Sequence, residues 1–290
     1  MPFFAQLVFK KCRNMKLAFF VFLILLAPVF AACQFYYTDI IITKQTNDQY
    51  SLLRRNNIHL VSAKSFEADQ TLSPDFKLEQ EISKDGKTIV TSSSSLNTGN
   101  TISTAYYDNN HLLKTMDSSE NIVSITQFEY DEEYSLVRIS SATTDHFMNS
   151  KSIETHEWVY ENNRPVKMLL IKNGIDTTQV DFEYENEEIA SETWYKGGRA
   201  IEKYFYYYNN SGMITDIVRY NTKAQRMLPD FTFDYDAQNR VITFTQVRSS
   251  ASNYFTWDYE YLPNGLKSTE TCFDKQKLPV GKIVFNYQTF

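Results

Sequence analysis

The chain has 290 residues with 21 Phe, 20 Tyr and 3 Trp but only 8 Gly and 7 Pro, and a formal net charge of −6. That much aromatic material excludes a disordered chain, and its length is ample for a buried core. The acidic balance leaves no basic footprint for nucleic acid.

Residues 1–32 read as a secretory signal peptide. Lys10, Lys11, Arg13 and Lys16 are its only charges, and the unbroken apolar run Leu17–Ala27 follows them. Pro28 and the small residues Ala31 and Ala32 interrupt that run before it reaches membrane-spanning length. Met15 begins a leader of ordinary proportions and is an alternative start. Phe30-Ala31-Ala32-Cys33 resembles a bacterial lipobox, which implies acylation at Cys33 and a membrane attachment through it. Ordinary cleavage after Ala31 is the competing expectation.

Residues 33–75 are expected to supply N-terminal capping strands. Tyr36–Thr43, with its run of isoleucines, and Asn57–Ala63 are the two candidates. Ser92–Ser95 with Asn97-Thr98-Gly99-Asn100 reads as a loop.

From residue 76 to 290 the sequence repeats. An aromatic-x-Tyr motif recurs with Tyr107, Tyr130, Tyr160, Tyr184, Tyr208, Tyr235, Tyr261 and Tyr287 as anchors, and an Asp, Glu or Asn usually follows the tyrosine. The unit is roughly 25 residues long, short enough for one supersecondary element per copy. Before each anchor, aromatic and polar residues alternate, as in Phe255-Thr-Trp257-Asp-Tyr259-Glu-Tyr261, the period of a half-buried strand. Turn residues come next, such as Asn209-Asn-Ser-Gly212 and Pro263-Asn-Gly265, and then a second strand such as Val241–Val247. Ile82 with Gly86 marks a degenerate first copy. The expected fold is all-β: an antiparallel meander of repeated hairpins forming an open shell, barrel-like or sandwich-like.

Tyr235-Asp-Ala-Gln-Asn-Arg-Val241 and Tyr160-Glu-Asn-Asn-Arg164 resemble the YD repeat of Rhs and teneurin-like surface proteins. The resemblance covers residues 76–290 and implies a β-repeat shell on an exported protein. The chain is also similar to exported Bacteroidetes-type lipoproteins of unknown function, a likeness that implies no activity.

Three classes of function can be weighed from the residues. A non-catalytic envelope protein, a scaffold or binding surface for a protein or glycan partner, fits the leader and the repeats. A glycan-binding module would need exposed aromatics. Trp194 and Tyr195, beside Gly197 and Gly198, are the candidates, while Trp158 and Trp257 lie on the anchor face and are expected in the core. A hydrolase would need convergent carboxylates, but Asp181, Glu183 and Glu185 share one strand face. They read as a wet face paired with cations such as Arg138, Lys167, Arg219 and Lys267. His59, His111, His146 and His156 show no metal or triad spacing, so no catalytic residue, metal or cofactor is expected. A pocket gathering Asp145, His146 and His156 with an acid would argue for catalysis. Cys272 reads as a packing residue. Outer-membrane barrels end in an aromatic, as this sequence does at Phe290, yet Gln288 and Asn286 stand where that pattern needs apolar residues.

Overall fold

The structure, a computed structural model, describes residues 34–95, 99–221, 225–247 and 254–290. The expected signal peptide, Met15 and Cys33 lie outside the described residues. The first six strands are β1 (Ile58–Glu67), β2 (Lys77–Ile82), β3 (Thr88–Ser95), β4 (Gly99–Asp108), β5 (His111–Ser119) and β6 (Ile122–Tyr130). Next come β7 (Leu136–Asp145), β8 (Ser150–Glu161), β9 (Arg164–Lys172), β10 (Asp176–Glu185), β11 (Glu188–Lys196) and β12 (Arg199–Tyr208). The last six are β13 (Ile214–Asn221), β14 (Arg226–Tyr235), β15 (Val241–Val247), β16 (Tyr254–Tyr261), β17 (Lys267–Phe273) and β18 (Pro279–Thr289).

Each strand pairs antiparallel with its neighbours in sequence, and β1 pairs with both β2 and β18. The meander therefore closes into a barrel, settling what the sequence left open between an open shell, a barrel and a sandwich. The seam joins residues far apart in the chain, with Val61 opposite Tyr287 and Ala63 opposite Phe285. Closure leaves the sheet no edge strand.

The repeat motif has a physical meaning at one rim. The ladder slips by one residue just before Tyr107, Tyr130, Tyr160, Tyr184, Tyr208, Tyr235 and Tyr261. A bulge thus recurs at the same level in seven alternate strands, a device that locally twists a strand and re-aims the side chain that follows. From Tyr130 onward each anchor hydroxyl donates to a backbone carbonyl at the start of the preceding strand, as Tyr208 does to Ile189 at 2.9 Å and Tyr235 to Ile214 at 2.7 Å. Tyr130, Tyr160, Tyr184, Tyr261 and Tyr287 repeat the bond to Leu112, Leu136, Pro165, Val241 and Lys267. The acid or amide after the tyrosine folds the next turn. Asp236 Oδ1 accepts from the N–H groups of Gln238 and Arg240, and Asp131 and Asn209 do the same in their own turns.

The two halves of the tyrosine–acid motif thus fasten consecutive hairpins. Tyr208→Phe should leave the Ile189 carbonyl without its donor and cost about 1 kcal/mol. A urea midpoint that falls with an unchanged slope would show this; an unchanged midpoint would remove the hydroxyl from the account.

The N-terminal segment departs from expectation. Tyr36–Thr43 is helical: Tyr36–Ile41 forms a π-helical turn that runs without a break into α1, Ile42–Arg55. The second expected capping strand is present as β1. Ser92–Ser95 belongs to β3, and Gly99 and Asn100 belong to β4, so the expected loop is mostly a hairpin; Asn97 and Thr98 lie outside the described residues.

The helical segment occupies the barrel lumen. An 18-stranded barrel is wide enough to enclose a channel, and here the chain's own N-terminal helix packs into it. Phe35 and Tyr37 join the aromatic core of Trp158, Trp194, Tyr206 and Phe233, while Tyr50 and Leu53 join a second core with Ile58, Tyr107 and Leu112. The outer face carries cross-strand ion pairs among scattered exposed apolar residues such as Ile153, Val159 and Tyr207. Arg138 bridges Glu129 and Glu157 across three strands at 3.3 and 3.1 Å, and Lys203 meets Glu183 at 2.7 Å. Charges repeated along outward positions are the reverse of a lipid-facing band. Arg219 and Lys267 depart from the expected wet-face pairing. Lys267 stands 3.9 Å from the Tyr259 ring centroid and bonds to buried Glu270, and Arg219 reaches Asp230 at 2.9 Å.

Candidate functional site

The densest polar chemistry of the molecule lies where the helical plug meets the barrel wall. Near its start, the backbone N–H groups of Phe35 and Tyr36 donate to the two oxygens of Glu192, each at 3.0 Å. The same carboxyl accepts from Trp194 Nε1 at 2.9 Å and from Tyr206 Oη at 2.8 Å. The carboxyl thus satisfies two of the unpaired amides of a helix start, a task side-chain caps usually perform, and ties them to two side chains of the wall. Glu192 is fully buried, and burial pushes its carboxyl up to about 7 although all four donors pull it down.

One turn further on, Asp39 Oδ2 accepts from His156 Nδ1 at 2.6 Å and from Trp158 Nε1 at 3.2 Å. His156 Nε2 faces Glu154 Oε1 at 3.1 Å, and Lys172 Nζ lies 2.9 Å from the other oxygen of Glu154. Burial opposes a charged imidazole, but the Asp39 carboxylate, with Glu154 behind it, wins and lifts His156 to about 9. A ring flanked by two carboxylates donates from both nitrogens and is the imidazolium at neutral pH. Glu154 is held below the usual carboxylate range, since its bonds to His156 and Lys172 outweigh its burial.

Two further contacts secure the end of α1. Asn47 Oδ1 accepts from the Leu112 N–H at 2.9 Å. Tyr50 stacks face to face on Tyr107 at 3.9 Å, and its hydroxyl donates to the Gly86 carbonyl. Ile82, the anchor of the degenerate first copy, has no hydroxyl to give, and here a tyrosine from the plug bonds into its turn.

The sequence candidates can now be placed. His156 does meet acidic partners, but Asp145 and His146 are not among them. Asp145 Oδ1 accepts from the N–H groups of Phe147 and Met148 in a surface turn, and exposed His146 bonds through its backbone to Asn121. Both nitrogens of His156 are committed to carboxylates and the ring is buried, so no nucleophile is activated there. Trp194 corrects the glycan expectation. It is 8% exposed, points inward, and packs against Phe35 with ring centroids 4.6 Å apart. An indole used in this way offers no face to a sugar.

Tyr195, one position on, points outward and is half-buried. It borders a shallow hollow of about 550 Å³ with Gln179, Asp181, Thr177 and the Gly197–Gly198 turn. A second hollow, of about 580 Å³, opens between α1 and Asn110 and is lined by Asp48, Ser51, Arg54 and Arg55. Among the described residues no group of His, Cys, Asp and Glu could hold a metal ion. Cys272 is buried, and burial pushes its thiol up to about 12, as suits a packing residue. Cys33 lies outside the described residues.

Comparisons with known proteins complete the description. No family model and no curated protein matches the chain. Among solved structures, a porin-like protein from Bacteroides uniformis aligns at a TM-score of 0.39 and 10% identity, over 80% of this chain and 96% of that one. A chain of the Photorhabdus luminescens Tc holotoxin pore aligns at 0.29 and 11% identity, over 80% of this chain and 17% of its own length. A porin-like protein from Bacteroides vulgatus aligns at 0.26 and 12% identity, over 80% and 99% of the two chains.

Proposed function

We propose that this chain is an exported, non-catalytic shell of the cell envelope that acts as a scaffold or binding surface. The observation that carries the reading is the use made of the buried ionisable groups. Glu192, His156 and Asp39 would be the natural catalytic candidates of a hydrolase, and all three are spent on holding the chain's own helix in the lumen. What faces the surroundings is an outer wall of cross-strand ion pairs, two rims and shallow hollows. Export rests on the leader, and lipid attachment rests on Cys33.

Metabolic palmitate labelling of the wild type against Cys33→Ser tests the attachment. Label confined to the wild type is expected, and equal label in both would end the lipoprotein reading. Cell fractionation of a tagged chain tests the address, with recovery in the envelope fraction expected. A chain found in the cytosol would overturn the function as a whole.

The hollow beside Tyr195 favours a second reading, as a glycan-binding module. A half-buried aromatic beside Gln179, Asp181 and Thr177 combines a stacking face with hydroxyl-directed hydrogen-bond groups. Retention on a polysaccharide array that disappears in Tyr195→Ala would support it.

A further inference from the structure

The meander sends alternate turns to opposite rims of the barrel, and one arc of the distal rim differs in chemistry from the anchor rim. The tyrosine-anchor rim carries Asp131, Glu132, Glu133, Glu161, Glu185 and Glu187, all exposed. The distal rim holds the opposite turns. Its β7–β8 and β9–β10 turns bear the three most exposed large apolar residues described: Ile175 at 88%, Phe147 at 84% and Met148 at 61%. Exposed Lys151, Lys196 and Arg199 stand beside them, the last two flanking the neighbouring β11–β12 turn. The acids of this arc are already engaged: Asp145 folds its own turn, and Asp176 is paired with Lys196 at 2.8 Å.

We infer that this arc of the distal rim seats on an anionic lipid surface. Three apolar side chains on two neighbouring projecting turns form no groove for a peptide or helix, but they suit shallow insertion among headgroups. The interleaved lysines and arginines match an anionic bilayer in charge. The inference rests on the export reading only for there being a membrane nearby; the rim itself can be tested without leader or lipid.

The test uses a chain beginning at Gln34, which contains every described element, with vesicles of phosphatidylcholine alone or mixed with phosphatidylglycerol. Sedimentation with the mixed vesicles only is expected, weakening as salt rises. Lys151→Gln with Arg199→Gln should bind roughly 30-fold more weakly, from the usual contribution of about 1 kcal/mol per basic side chain at an anionic surface. Phe147→Ser with Ile175→Ser should also lose binding, while Glu187→Gln on the opposite rim should bind as the wild type. Unchanged near-ultraviolet circular dichroism would show that these surface variants fold. Absent binding, equal binding to both vesicles, or rim variants that bind normally would overturn the inference. Cross-linking of a soluble envelope protein to the same tips, without vesicle binding, would overturn it too and reassign the arc to a protein partner.

Discussion

Glu192→Ala should destabilise the protein by about 4 kcal/mol, because several buried donors lose their acceptor at once and each such loss costs 1–3 kcal/mol. The four groups left without a partner are the Phe35 and Tyr36 amides, the Trp194 indole N–H and the Tyr206 hydroxyl. Two belong to the plug and two to the wall, so the variant should also loosen the plug before the barrel melts. Urea unfolding measures the first effect, and limited proteolysis measures the second as early cleavage within residues 34–55. Glu192→Gln keeps one acceptor oxygen and should lie between the alanine variant and the wild type. A loss below about 1 kcal/mol for the alanine variant would show that water replaces the carboxyl, and that Glu192 is not the latch.

Alkaline pH should release the same plug through a different residue. His156 binds its proton more tightly in the folded chain, near 9 against 6.5 for the free side chain. Its contribution is therefore complete below about pH 6.5 and lost as pH rises through about 9. The difference corresponds to about 3 kcal/mol over that window. Glu192 acts in a lower window and in the same direction: its raised carboxyl favours folding below about 4.5, and that benefit is gone once pH passes about 7. Stability should thus fall in two steps as pH rises. Asp39→Ala removes the main partner of His156 and leaves the Trp158 indole unpaired. It should cost about 3 kcal/mol at pH 6 and flatten the upper step. Unfolding curves at pH 6 and pH 10 would decide. An upper step of unchanged size in Asp39→Ala would assign it to another group.

The repeating part of the molecule was readable because each anchor does the same job. Tyr208 and Tyr235 recur at near-constant spacing since each must reach the carbonyl that starts the preceding strand, and Asn209 and Asp236 follow because the next turn needs an acceptor there. The plug hid behind the opposite situation. Ile40, Ile41 and Ile42 are β-branched and read as a strand, and a helix enclosed by a barrel is covered on several sides and shows no broad apolar stripe. One trace was present: Thr43, Thr46, Tyr50 and Leu53, the buried positions of α1, lie three or four residues apart.

Nearness to the Gly197–Gly198 turn suggests an exposed Trp194, yet the side chain is buried. Its neighbour in space, Phe35, is 159 positions away in the chain and so left no local sign. The basic, apolar arc of the distal rim is invisible for a related reason. Its residues, from Phe147 to Arg199, are scattered through an acidic chain, and only the folded meander gathers them.

The seam between β1 and β18 gives premature termination an all-or-nothing character. Every other strand can pair as soon as its hairpin is made, but β1 stays half-paired until residues 281–289 arrive. A product ending before Pro279 would lack one strand of eighteen, yet it would expose two raw edges, on β1 and on β17, in place of none. Such edges recruit other chains. Nonsense products should therefore be lost to aggregation and proteolysis in far greater proportion than the missing residues alone would suggest.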